Sequence, residues 1–176
     1  MPLDESRLME FLEVVDAGLR RRIVLVAVGG TAMTLLDLKP STLDVDFTAP
    51  AEDADAFTET LRTLPHGFKV DCWKDGAVFS QFLPSDYLER SLPIRHLRHI
   101  DLRALHPVDI VVTKIGRLDE RDIQDITACI RTFRLTKDVI LERARQVTYV
   151  GREANYKANL RHVIGRFFRE EKRRAG

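Results

Sequence analysis

Apolar positions recur at helical spacing near the start of the chain, where Leu8, Phe11, Leu12, Val15 and Leu19 follow Asp4 or Ser6, either of which can cap a helix. Gly18 and Arg20 to Arg22 mark its exit, so an amphipathic helix packed on a sheet is predicted. Ile23 to Val28 is almost continuously β-branched, the composition of a strand buried on both faces. Leu43, Val45 and Phe47 then alternate with Asp44 and Asp46, predicting a second strand with one apolar face and one face of carboxylates. Pro50 opens a helix carrying Ala54, Phe57, Leu61 and Leu64, closed by Pro65-His66-Gly67. Phe68 to Trp73 alternates again, with Phe68, Val70 and Cys72 on one side and Lys69, Asp71 and Trp73 on the other. Asp75-Gly76 is a hairpin signal, with Ala77 to Leu83 as the returning strand. Pro84 and Pro93 bound a loop-rich segment suited to framing a substrate pocket, and Ile100 to Leu105 adds another strand. From Pro107 onward the pattern is helical: Ile110, Val111, Lys114 and Leu118, then a helix with Asp122 and Asp125, then Lys137 to Val147 and Arg152 to Arg173 on either side of Gly151.

Composition narrows the class without naming a chemistry. The 176 residues fit one domain with a helical appendage, and 44% hydrophobic with 31% charged residues is a globular balance. A net charge of +1 hides an uneven distribution. Residues 151–176 carry eight Lys or Arg against three Glu, a net +5 that leaves −4 for the rest. That basic end reads first as a solvated packing helix, and second as a surface for RNA or an acidic partner. Cys72 and Cys129 form no metal-ligand pattern and read as reduced, packed thiols. His96, His99 and His106 have no partners at zinc-ligand spacing. No apolar run is long enough to span a bilayer and no signal peptide is evident, which makes the cytoplasm the expected location and a membrane partner unexpected.

The chemistry concentrates between Val28 and Phe47, VGGTAMTLLDLKPSTLDVDF. Carboxylates two apart on one strand, as Asp44 and Asp46 are read, stand roughly 6.5 to 7 Å apart at their bases. They can converge on one divalent cation or on a pair, and with no His or Cys beside them the suitable ion is Mg²⁺ or Mn²⁺. Without a cation, each would raise the other's pKa. Gly29 and Gly30 let the backbone turn sharply and let a triphosphate approach its N–H groups, and Thr31 is placed at the start of the following helix. An ordinary strand-to-helix turn followed by an acidic strand is the plainer alternative, and it weakens as strand, Gly-Gly, helix, turn and acidic strand all fall within twenty residues.

That order resembles the signature of the minimal nucleotidyltransferase fold, the polymerase-beta-like superfamily, and most closely the abortive-infection type nucleotidyltransferases, many of them toxins of toxin–antitoxin pairs. A second segment, HPVDIVVTKIGRLDERDIQDI from His106 to Ile126, is similar to the downstream part of that family, where a lysine precedes a helix with Asp-x-x-Asp. The resemblance covers roughly residues 22 to 130. It implies an α+β fold, a small mixed sheet flanked by helices with a C-terminal helical region. It also implies that Asp71 is a third acid, completing a metal set with Asp44 and Asp46 or accepting a proton; an exposed aspartate beside Lys69 is the alternative. Lys114 matches the family's lysine, expected to reach a triphosphate or the acids, with Asp122 and Asp125 orienting it or a neighbouring Arg. The family usually has a basic residue where Asp119 stands.

The expected organisation is a nucleotidyltransferase core over residues 1–106 and a helical region over 107–176 packed on it. The expected activity is Mg²⁺- or Mn²⁺-dependent transfer of a nucleoside monophosphate from an NTP to a hydroxyl of RNA or protein, as a toxin–antitoxin component with an antitoxin as partner. Asp44, Asp46 and Asp71 are the catalytic and metal-binding candidates; Gly29, Gly30, Thr31 and Lys114 are the nucleotide-binding ones. A non-catalytic nucleotide-binding or partner-recognition module of the same fold is the alternative, and a basic helical nucleic-acid binder a third.

Overall fold

The protein is described by a computed structural model covering residues 1–151 and 153–169. Helix α1 (Glu5–Gly18) begins where the Asp4 carboxylate accepts from the Arg7 N–H at 2.9 Å, and it buries Leu8, Leu12 and Val15. Strand β1 (Ile23–Ala27) follows, then α2 (Gly29–Leu35), β2 (Val45–Ala49), α3 (Ala51–Leu61) and β3 (Val70–Lys74). Short strands β4 (Ala77–Val78) and β5 (Gln81–Phe82), helix α4 (Tyr87–Arg90) and strands β6 (Leu92–His96) and β7 (Ile100–Ala104) complete the first two thirds. Beyond them lie α5 (Pro107–Lys114), α6 (Glu120–Phe133), α7 (Lys137–Gln146), β8 (Thr148–Tyr149) and α8 (Glu153–Phe167).

The chain divides into two compact units, residues 1–78 with 85–106, and residues 79–84 with the described residues from Pro107 on. In the first, a five-stranded mixed sheet has the order β3-β2-β1-β7-β6. Central β1 runs parallel to β7 and antiparallel to β2, while β2 and β3 are parallel and joined through α3. Leu25, Val26 and Ala27 are wholly buried, as the continuous apolar run predicts. Phe47 from β2 meets Phe57 from α3 edge to face at 5.4 Å between ring centres. Two aspartates tie down the other end of the strands: Asp53 accepts from the Val24 N–H at 2.9 Å, and Asp16 from the N–H groups of His99 and Ile100 at 2.7 and 2.8 Å.

Several elements differ from the pattern-based reading. β2 starts only at Val45, so Asp44 lies in the bend before it and Leu43 is 57% exposed, not on a buried face. The expected strand over Ala77 to Leu83 is two short pieces, because Phe79 takes a positive φ of 53° between them. The segment read as loop contains α4 and the edge strand β6, whose pairing with β7 slips register between Pro93 and Arg95. Nor is the chain after Pro107 all helical: β8 pairs antiparallel with β5. The basic run Lys172 to Arg174 lies outside the described residues.

In the second unit every position of α5 is buried. Tyr156 and Asn159 of α8 donate to the carbonyls of Val112 and Ile115, both at 2.8 Å, satisfying acceptors that a helix end leaves open. Arg143 of α7 grips Asp109 of α5 through two bonds, one of 2.9 Å, in a fully buried pair.

Candidate active site

The site-bearing stretch folds as it does because of one hydroxyl and two glycines. Gly29 has a φ of 52°, a left-handed conformation that costs a residue without a Cβ nothing. A Cβ at Gly30 would stand 2.6 Å from Thr42 Oγ1, so close packing requires glycine there whatever approaches from outside. Helix α2 begins at Gly29, two residues before the expected start, which places Thr31 inside its first turn. The fully buried Thr31 hydroxyl donates to the Asp44 carbonyl at 3.2 Å and accepts from the Asp46 N–H at 2.9 Å. Thr42 Oγ1 donates to the same Asp44 carbonyl at 2.9 Å. These bonds draw Asp44 off the line of the strand and hold the start of β2 against α2. Thr31 therefore positions the main chain that carries the acids.

The bend and the acids are neighbours across the sheet. Ala27 is in register with Phe47, and the next rung is the bond from the Val28 N–H to the Asp46 carbonyl at 3.0 Å. Asp46 is 7% exposed, whereas Asp44 is exposed. On the far side, Asp46 is the register partner of Asp71 in parallel β3, so the two alpha carbons stand directly opposite one another. The structure thus brings Gly29, Gly30, Thr31, Asp46 and Asp71 into adjacent positions, with Asp44 one residue outside the sheet.

A cation already stands at this cluster. Lys69 Nζ lies 2.8 Å from Asp71 Oδ2. Its ammonium is held above the usual lysine range, first by the hydrogen bond and charge of Asp71, opposed by some loss of hydration, and then by the charges of Asp44 and Asp46. Asp71 is half-buried and does stand beside Lys69, as the plainer reading has it. Among the described residues no three His, Cys, Asp or Glu side chains form a metal-binding group, so the expected trio of Asp44, Asp46 and Asp71 is not assembled as a closed shell. The donor type of Asp44, Asp46 and Asp71, carboxylate oxygen alone, still suits a hard divalent ion. Sequence reasoning missed Thr42 as part of the site, because a hydroxyl bonded to a main-chain carbonyl leaves no periodic signal.

Lys114 belongs to the second unit and is 8% exposed. Its ammonium sits 2.8 Å from Asp125 and 3.4 Å from Asp122, while Arg117 makes two bonds to Asp122 at 2.8 and 2.9 Å. Burial works to raise the Asp122 pKa, but the bond from Arg117 and the charges of Lys114 and Arg117, with the Asp119 N–H, outweigh it and hold the carboxyl below its ordinary value. Asp119, standing where the resembled family has a basic residue, caps α6 in a reciprocal box with Asp122. The expected orienting role of Asp122 and Asp125 is present in these two contacts to the lysine.

The mixed five-stranded sheet flanked by helices is the fold class that the resemblance implies. A family model described as Nucleotidyltransferase of unknown function (DUF6036) matches residues 6–172, and the chain belongs to that family. Among solved structures it is similar to a crystal structure of ANT(2")-Ia in complex with adenylyl-2"-tobramycin, with a TM-score of 0.54 and 14% identity over 80% of this chain and 96% of that one. A solution structure of the antibiotic-resistance factor ANT(2'')-Ia gives a TM-score of 0.54 and 15% identity over 91% and 98%. At these identities the likeness establishes the fold. No curated protein matches the chain.

Proposed function

We propose that the protein transfers a nucleoside monophosphate from an NTP to a hydroxyl acceptor and releases pyrophosphate, in a reaction dependent on Mg²⁺ or Mn²⁺. The observation that carries this reading is the placement of Asp46, one rung from the Gly29-Gly30 bend and in register with Asp71. Asp44, Asp46 and Asp71 are the residues that would hold the cation. When bound, such an ion lowers the charge on the polyphosphate and favours ionisation of the acceptor hydroxyl. The first-turn amides at Gly29 and Gly30, which have no partner within the helix, are offered to phosphate oxygens. As the acceptor oxygen bonds to the α-phosphorus, the bond to the β-phosphate oxygen breaks, and Asp71 would either complete the metal shell or take the acceptor's proton. Positioning and charge compensation supply most of the acceleration in such chemistry. Lys114 engages Asp122 and Asp125 in buried pairs, which we assign to fixing α5 against α6.

RNA and protein hydroxyls are the acceptors that the abortive-infection resemblance implies, and with either the protein would act as a toxin countered by an antitoxin. The ANT(2")-Ia complex with adenylyl-2"-tobramycin favours a second acceptor class, hydroxylated small molecules. Incubation with each labelled NTP and Mg²⁺, in the presence of tRNA, total protein or tobramycin, followed by mass spectrometry, names nucleotide and acceptor together. Asp46→Asn should lower transfer by roughly 10²-fold or more with an unchanged circular dichroism spectrum. Full activity in that variant would end the mechanism. Calorimetry that finds no Mg²⁺-dependent affinity for any NTP would favour the non-catalytic module instead.

A further inference from the structure

Lys69 has no part in the reaction as proposed, yet it is the side chain most intimately placed among the acids. It immediately precedes β3, where its carbonyl accepts from the Val45 N–H at 3.0 Å, so its main chain is fixed to the strand that carries Asp46. The side chain is 68% exposed and turns back onto Asp71, the register partner of Asp46. The stem is flexible and largely in water, and the contact with Asp71 is what fixes the ammonium there.

We propose that Lys69 is a tethered counter-ion of the acid cluster, bound to Asp71 in the metal-free protein and displaced from it when a divalent cation binds, so that ammonium and metal compete for one carboxylate. The inference rests on the metal-dependent reading above. Its physical basis is charge density. One ammonium neutralises a single carboxylate through one contact, whereas a divalent ion takes two or three carboxylates at once. An exposed ion pair is also weak, so Lys69 tunes metal affinity without blocking it. The device spares the acids mutual repulsion when no metal is present and weakens metal binding only by the small amount that an exposed pair is worth.

The test uses Mn²⁺ alone, with free ion measured by electron paramagnetic resonance at low ionic strength. Wild type, Lys69→Met, Lys69→Arg, Lys74→Met and Asp46→Asn are titrated, each checked for folding by circular dichroism. Lys69→Met should bind Mn²⁺ roughly two- to fivefold more tightly, the range expected for removing an exposed pair. Lys69→Arg should resemble wild type. Lys74, which pairs with Asp55 at 2.7 Å, controls for a general change in charge, and Lys74→Met should bind Mn²⁺ as wild type does. Unchanged or weaker binding in Lys69→Met, or equal tightening in Lys74→Met, overturns the competition while the contrast between wild type and Asp46→Asn leaves the metal reading standing. If wild type binds no Mn²⁺, or Asp46→Asn binds it equally well, the metal reading fails and takes this inference with it.

Discussion

At the scale of single residues, the candidate site is held by hydroxyls bonded to the main chain. Thr31 is the clearest: its one oxygen serves both the Asp44 carbonyl and the Asp46 N–H. Thr31→Val keeps the shape and removes both bonds, leaving a buried N–H without an acceptor, so a loss of about 1–3 kcal/mol is expected in urea unfolding. Transfer activity should fall with it, because the acid is no longer anchored. Gly30→Ala should cost about 1–3 kcal/mol through overpacking. Thr42→Ala removes the oxygen that the new methyl would strike, so the double variant should recover part of that loss, a coupling that a double-mutant cycle reads directly.

At the scale of elements, α6 illustrates how a local cap and a buried ion network depend on each other. Asp119→Ala removes the cap and should cost about 1 kcal/mol. Asp122→Ala breaks the pairs to Lys114 and Arg117 and should cost roughly 3 kcal/mol. The pH dependence has a definite sign. The folded Asp122 carboxyl is held below the ordinary aspartate range, so its contribution is complete above that range and is lost as pH falls through the lower folded value. The stability gap between wild type and Asp122→Asn, measured by urea midpoints, should therefore be widest near neutrality and close in acid. Which elements the residues announce follows the same physics. β1, α1 and α3 are legible because their apolar periods are uninterrupted. β6 is hidden by Pro93 and by the exposed Arg95 and His96 of an edge strand, and β5 and β8 are too short for any period to register. Asp46 was readable as a strand carboxylate, but Asp44 was not readable as a bend. Alternation continues through Leu43 in the residue string, and only the bonds from Thr31 and Thr42 reveal that the strand has not yet begun.

At the scale of the whole molecule, the family match over residues 6–172 spans nearly the entire chain, and no helix among the described residues is long and apolar enough to cross a membrane. The two thiols, one in each unit, are both poorly reactive. Burial, with the nearby charges of Asp53 and Asp55, pushes the Cys72 thiol up to about 12; burial and Asp125, opposed by Lys114, push Cys129 up to about 12. At pH 8 only about one thiol in 10⁴ is ionised, so iodoacetamide should leave the native protein almost unlabelled and modify both cysteines in urea, as intact mass would record.

The register slip between Pro93 and Arg95 matters for what the molecule avoids. A sheet margin is an open template on which a stray chain can extend the ladder. Here Pro93 brings no N–H, the strand is locally out of step, and Arg95 and His96 line it with charge or polarity. Strand-by-strand accretion into fibrils is disfavoured along that border, and replacing Pro93 with a β-branched residue would be the simplest way to invite it.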